Sequence, residues 1–248
     1  MSNEAFFSYD GGVTMVGSRT GHGPKTFVLV HGIGMGRRVF QGLAELLGEA
    51  GQVVTLDLPG FGDSPEPEKA RTIPETAELV AGFIRRLEAP DVVLIGHSMG
   101  TQVVAEVAVQ HPELISQLVL IAPTVNTAER TAVRQAWRMV QDLWGESLRV
   151  LILGGWQYAK AGIPWFVRKL RIMLDHPVEE TYPKIQVETL VLRGETDKVC
   201  PRVWVEEVAE LIPGARYDEV PGHGHEAMIR DPEDAARIIL AFASEKSG

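Results

Sequence analysis

Short apolar runs and stretches of helical spacing alternate along most of this 248-residue chain. Residues 26–30, 53–56, 91–95, 117–122 and 190–192 are apolar runs bounded by turn-forming residues, the pattern of strands buried on both faces. Between them, Phe40, Leu43, Leu46 and Leu47, then the stretch 73–87, then Val103, Val104, Val107 and Ala108 fall on stripes of helical period. Two β-like stretches, 4–9 and 13–18, flank the turn signal Asp10-Gly11-Gly12. A helix near 202–211, a strand-like stretch at 215–220 and a last helix from Pro232 through Ala235, Ala236, Ile239 and Phe242 close the chain. Strands alternating with helices predict an α/β fold with a mostly parallel central sheet and helices on both faces.

The alternation breaks once. Residues 124–184 are helical in pattern, hold no buried-strand run and carry four of the five tryptophans, Trp137, Trp144, Trp156 and Trp165. This stretch is also locally basic, with Arg130, Arg134, Arg168, Lys169 and Arg171 among its residues. An insert of this size in an α/β sheet reads as a lid over the strand ends, where ligands bind in such folds. The expected organisation is an α/β core of residues 1–123 and 185–248 under a helical cap of 124–184.

Charge and cysteine usage remove several function classes. The formal net charge of −9 argues against nucleic acid or an anionic membrane surface as the main partner. The single cysteine, Cys200, leaves no internal disulfide and reads as a small buried hydrophobe. The first residues lack the basic and apolar regions of a signal peptide, and no apolar run approaches the length of a membrane span. A cytoplasmic protein with no membrane span is the expectation.

The chemistry centres on Gly96-His97-Ser98-Met99-Gly100, between a strand and a helix. A serine hydroxyl is a poor nucleophile unless it is exposed to a base and held still. A sharp strand-to-helix turn exposes it, strains its backbone and demands small residues two positions away, here Gly96 and Gly100. The following helix points its free N–H groups back at the serine, so the Met99 N–H is one oxyanion donor. The loop His31-Gly32-Ile33-Gly34 supplies the Ile33 N–H as the second, with His31 holding the loop. That loop does not fit a dinucleotide fingerprint, because Arg37 stands where the third glycine belongs. No cofactor is expected.

A base and its orienter belong beyond later strands. Asp197 lies just past the strand-like Leu190-Val191-Leu192, with Glu195 as a competitor in the same loop. Pro221-Gly222-His223-Gly224-His225 offers two histidines, and His225, seven residues before Pro232, is favoured over His223. No further ligand cluster accompanies His223-x-His225, so no metal site is expected.

The order Ser98, Asp197, His225 resembles the capped serine hydrolases of the α/β-hydrolase fold superfamily, which include small esterases and carbon–carbon hydrolases. The resemblance rests on His31-Gly32-Ile33-Gly34, on Asp57-Leu58-Pro59-Gly60-Phe61-Gly62-Asp63-Ser64, on Gly96-His97-Ser98-Met99-Gly100, on Gly194-x-x-Asp197 and on Gly224-His225 with Pro232. It covers the chain from about residue 26 to 243 apart from the cap. It implies Ser98 as nucleophile, His225 as base and Asp197 as orienter, acting through an acyl-enzyme. A serine at 98 argues against the haloalkane dehalogenase and epoxide hydrolase branches, which use aspartate there.

Three functions stand as expectations: cleavage of a small to medium, partly apolar carboxylic ester, hydrolysis of a carbon–carbon bond in a vinylogous diketone acid, or a small-molecule receptor that retains the triad. His31, Gly32, Trp137, Trp156, Trp165 and Val199 are the expected substrate-lining residues.

Overall fold

The computed structural model describes residues 4–10, 12–127, 163–229 and 232–245. Strands β1 (Glu4–Asp10), β2 (Val13–Thr20), β3 (Thr26–Val30), β4 (Gln52–Asp57), β5 (Val92–His97), β6 (Gln117–Ile121), β7 (Glu188–Gly194) and β8 (Arg216–Val220) form one sheet. Their spatial order is β1-β2-β4-β3-β5-β6-β7-β8. The β1–β2 hairpin and the β2–β4 pairing are antiparallel, and every pairing from β4 to β8 is parallel.

β3, β5 and β6 are buried along their whole length. Successive side chains of a strand face opposite ways, so helices must cover both faces of this sheet. Helix α1 (Gln41–Leu47) packs on the last helix, Pro232–Ser244, while α2 (Ile73–Leu87) packs on α3 (Met99–Gln110). A capping box starts α2: the Glu75 N–H reaches Thr72 Oγ1 at 3.3 Å, and the Thr72 N–H reaches Glu75 Oε2 at 2.8 Å.

Register decides where the loops gather. Gly96 of β5 stands beside Val30 of β3 and Leu120 of β6, and Gly194 of β7 stands beside Val220 of β8. The turns after β3, β5, β7 and β8 therefore leave the sheet from one edge.

Of the expected cap, the described part holds α4 (Ile163–Asp175) and the short α5 (Val178–Thr181). Trp137, Trp144 and Trp156 lie outside the described residues. Gln102 of α3 donates its amide to the carbonyls of both Thr124 and Met173, at 3.0 Å each. Helix α3 thus ties the chain just beyond β6 to the end of α4. Helix α6 (Arg202–Leu211) packs on β7 and β8, and Pro232–Ser244 is α7.

The sheet matches the pattern of apolar runs, with two informative differences. The helical stripe through Phe40, Leu43, Leu46 and Leu47 is a 3-10 turn, Arg37–Phe40, followed by α1, which stops at Leu47. β7 runs on through Arg193, beyond the apolar run, because the buried guanidinium finds carbonyl and carboxylate partners.

Candidate active site

Ser98 sits at the turn from β5 into α3 with φ 53° and ψ −122°, a conformation rarely adopted by non-glycine residues. The strain is held by hydrogen bonds: the Ser98 N–H donates to the Ile121 carbonyl at 3.0 Å, and the Ser98 carbonyl accepts from the Thr101 N–H at 2.9 Å. Thr101 Oγ1 donates to the same carbonyl at 2.6 Å. Serine at a helix N-cap ordinarily bonds the helix with its hydroxyl. Ser98 occupies the N-cap of α3 but makes no such bond, which leaves Oγ for other chemistry. The turn admits no Cβ at its flanks: one on Gly96 would lie 2.5 Å from Val104 Cγ2, and one on Gly100 2.3 Å from the Val30 carbonyl oxygen.

The loop after β3 passes over this turn. A Cβ on Gly32 would stand 2.9 Å from Ser98 Cβ. The loop is braced by His31, whose Nδ1–H donates to the Gly32 carbonyl at 2.7 Å while its Nε2 accepts from the Leu58 N–H at 3.0 Å. Those two bonds assign the neutral tautomer. Burial pulls the His31 pKa below the ordinary histidine value, against the opposing charge of Asp57. Both ring nitrogens are taken by backbone, so His31 serves as a brace under Gly32, and its ring offers a substrate no polar group. Arg37 is ion-paired with buried Asp57.

The Asp197 and His225 loops leave adjacent strands. Asp197 Oδ1 accepts from the N–H groups of Val199 and Cys200 at 2.7 and 2.9 Å, and Oδ2 lies 2.9 Å from His225 Nδ1. Both side chains are buried. The two competitors are engaged elsewhere. The Glu195 carboxylate accepts from the Gly222 N–H at 2.8 Å, and His223 Nδ1–H donates to the Pro221 carbonyl at 2.6 Å. The N–H and hydroxyl of Thr196 both donate to the His223 carbonyl, at 2.8 Å each.

Val199 is buried beside Asp197. Trp165 is buried against the loop after β4, where a Cβ on Gly60 would lie 2.3 Å from the indole. Trp137 and Trp156 fall outside the described residues. On α4, Arg168 and Arg171 are exposed, and the buried cation is Lys169, whose Nζ donates to the Arg71 carbonyl at 3.0 Å. Burial brings its pKa down to about 8.

Sequence reasoning missed two supporting residues. His97 is fully buried, its Nε2–H donates to the His225 carbonyl at 3.0 Å, and the two rings stand 5.0 Å apart. Burial, and then the neighbouring His225, hold the His97 imidazole well below the usual range, so it is neutral. Arg193 donates to the Asp197 and Cys200 carbonyls at 2.9 and 3.0 Å. A charged residue ending an apolar strand was the available signal.

Comparison with known proteins fits this geometry. The profile of the Alpha/beta hydrolase family matches residues 27–238. The chain belongs to the α/β-hydrolase family. It is 37% identical over 255 residues to the pimeloyl-acyl-carrier-protein methyl ester esterase of Aeromonas hydrophila, covering 90% of this chain and 97% of that one. It is 26% identical over 247 residues to the 2-hydroxy-6-oxo-6-(2'-aminophenyl)hexa-2,4-dienoic acid hydrolase of Metapseudomonas resinovorans, covering 89% and 84%. A solved serine hydrolase involved in carbazole degradation superposes with a TM-score of 0.80 at 25% identity, covering 98% of this chain and 99% of that one. The α/β-hydrolase fold and a general hydrolase function follow.

Proposed function

We propose that this hydrolase cleaves a small to medium, partly apolar carboxylic ester through an acyl-enzyme on Ser98. The observation that carries the reading is the pairing of a strained serine, its hydroxyl released from helix capping, with a histidine whose Nδ1 is held by a buried carboxylate. Ser98 Oγ attacks the ester carbonyl while His225 Nε2 takes its proton. Asp197 keeps the Nδ1 proton in place and stabilises the imidazolium that forms. The N–H groups of Ile33 and Met99 receive the developing oxyanion; Met99 opens α3, so its N–H has no acceptor within the helix. His225 returns the proton to the leaving alcohol and then activates the water that releases the acid.

Of the expected cap, residues 128–162 lie outside the described residues; in its described part Trp165, buried against the Gly60 loop, forms part of the pocket wall. The similarity to a methyl ester esterase supports the ester as the bond cleaved. The similarity to a dienoic acid hydrolase favours a second reading, carbon–carbon cleavage in a vinylogous diketone acid by the same triad.

The test is hydrolysis of p-nitrophenyl esters of increasing acyl length by the wild type and by Ser98→Ala. The expected result is turnover in the wild type and a loss of at least ~10³-fold in the variant. Folded wild-type protein that turns over no ester refutes the ester reading, and turnover of a vinylogous diketone acid in the same assay establishes the second.

A further inference from the structure

The fold gathers three metal-ligating side chains that lie in two separate loops. One donor atom each from Asp197, Cys200 and His225 fall within 4.8 Å of one another, and all three residues are buried. Cys200 Sγ lies 3.9 Å from His225 Nδ1, which in turn lies 2.9 Å from Asp197 Oδ2. We propose that these three residues form an inhibitory site for a thiophilic divalent cation of the Zn²⁺ or Cd²⁺ kind.

The distances suit the chemistry. Tetrahedral zinc with ordinary bond lengths separates a nitrogen from an oxygen ligand by about 3.4 Å and a nitrogen from a sulfur ligand by about 3.6 Å. The two distances to His225 Nδ1 differ from these by about half an ångström or less, and Cys200 Sγ and the Asp197 oxygen lie within 4.8 Å of each other, so side-chain rotation brings the three ligands onto one ion. A thiolate, imidazole and carboxylate set selects zinc-like metals over magnesium or calcium. The carboxylate is already oriented: the Val199 and Cys200 N–H groups hold Asp197 Oδ1, so its other oxygen faces inward.

Binding releases one proton to solvent, from the Cys200 thiol; the neutral His225 imidazole ligates through Nδ1 and carries its single proton on Nε2 instead. The thiol lies 3.3 Å from the Pro123 carbonyl, to which it donates. Trp204 Nε1–H also donates to that carbonyl at 2.8 Å, so the oxygen stays satisfied once the thiol proton is gone. Capture of the cation replaces the Nδ1 proton that the proposed mechanism requires, and the enzyme stops. That consequence rests on the triad reading; the binding rests on the geometry alone. The sequence reading expected no metal site, because no ligand cluster at suitable spacing accompanies His223-x-His225; Cys200 and His225 are far apart in sequence and meet only through adjacent strands.

The test uses the full chain in two arms. In the first, Cd²⁺ is titrated into the wild type and Cys200→Ala, following the ultraviolet thiolate-to-metal charge-transfer band. The expected result is a band saturating at one equivalent in the wild type, tighter at higher pH, and no band in the variant. In the second, Zn²⁺ inhibition of ester turnover is read as the ratio of rates with and without metal, Mg²⁺ serving as control. At least tenfold more Zn²⁺ is expected for half-inhibition of Cys200→Ala. No charge-transfer band in folded wild type overturns the site, and equal inhibition of the two proteins overturns its inhibitory role. Because the first arm needs no turnover, failure of the ester reading leaves the metal site decided.

Discussion

Replacing Arg193 by methionine should loosen the loop that carries Asp197 while leaving the sheet intact. The guanidinium is buried and has three partners: the Asp197 carbonyl at 2.9 Å, the Cys200 carbonyl at 3.0 Å and the Glu219 carboxylate. Glu219 is not stranded by the change, because Arg202 and Tyr217 also donate to it. Methionine fills much of the same volume. The Glu219 ion pair goes too, but with its carboxylate still held the main loss is two charge-assisted hydrogen bonds to loop carbonyls, each contributing about 1.5 kcal/mol at the lower end of their range, or roughly 3 kcal/mol together. For a chain of this size each kilocalorie lowers the melting temperature by about 2–4 °C, so a fall of roughly 6–12 °C is expected. The ester turnover of the folded variant should drop by about 10²-fold in kcat with KM little changed, since misplacing an orienting group by about an ångström costs that much. Arg193→Lys, which reaches one carbonyl, should fall between. Differential scanning calorimetry and steady-state kinetics on the three proteins give the readout. A methionine variant that melts within about 2 °C of the wild type with unchanged kcat would show that the loop holds itself, and the reasoning fails.

Two further predictions concern buried titrating groups. Burial holds His31 below the ordinary histidine value and His97 well below it, so on acidification the unfolded chain takes up protons that the folded chain refuses. Stability should therefore fall as pH drops below about 6.5, by about 1.4 kcal/mol per pH unit for each histidine, and equal urea midpoints at about pH 7.5 and about pH 5.5 would sink the idea. Lys169 follows the same sign in a higher window: its folded pKa of about 8 lies below the ordinary 10.5, so its positive charge costs stability below pH 8 and the cost is relieved as pH rises toward 10.5. Lys169→Met should remove a cost of about 3 kcal/mol and forgo the bond to the Arg71 carbonyl, worth about 1–3 kcal/mol. The variant should gain relative to the wild type at about pH 7 and lose that advantage by about pH 10.5; an equal difference at both pH values refutes the assignment.

What the sequence made legible follows from its physics. Parallel strands covered on both faces must be continuously apolar, so β3, β5 and β6 stand out as runs, and the residues closing those runs are the ones that meet at the sheet edge. Ser98, Asp197 and His225 could be nominated because each follows a strand and precedes a helix or a free loop. The bracing residues could not. His97 bonds a carbonyl 128 positions away, and Gln102 bonds carbonyls 22 and 71 positions away. Such partners are fixed by strand order, which no local pattern encodes. The role of Cys200 was hidden for the same reason. Its burial was readable from residue type, but its distance from His225 depends on the β7–β8 register.

Strand order also explains why the site needs His97. β3 and β5 are neighbours, so the Gly32 loop lies on the Ser98 turn directly. β7 and β8 are neighbours, so the Asp197 and His225 loops are stitched together by Thr196 and Glu195. Between these halves stands β6, whose end is occupied in holding the Ser98 N–H through the Ile121 carbonyl. One bond that crosses from the serine turn to the histidine loop is His97 Nε2–H to the His225 carbonyl. A neutral imidazole is long enough to span that gap and, buried without charge, carries no ionic desolvation cost. The residue before the serine therefore ties the two halves together, beside the backbone bond from Ala122 to Leu192 that joins β6 to β7.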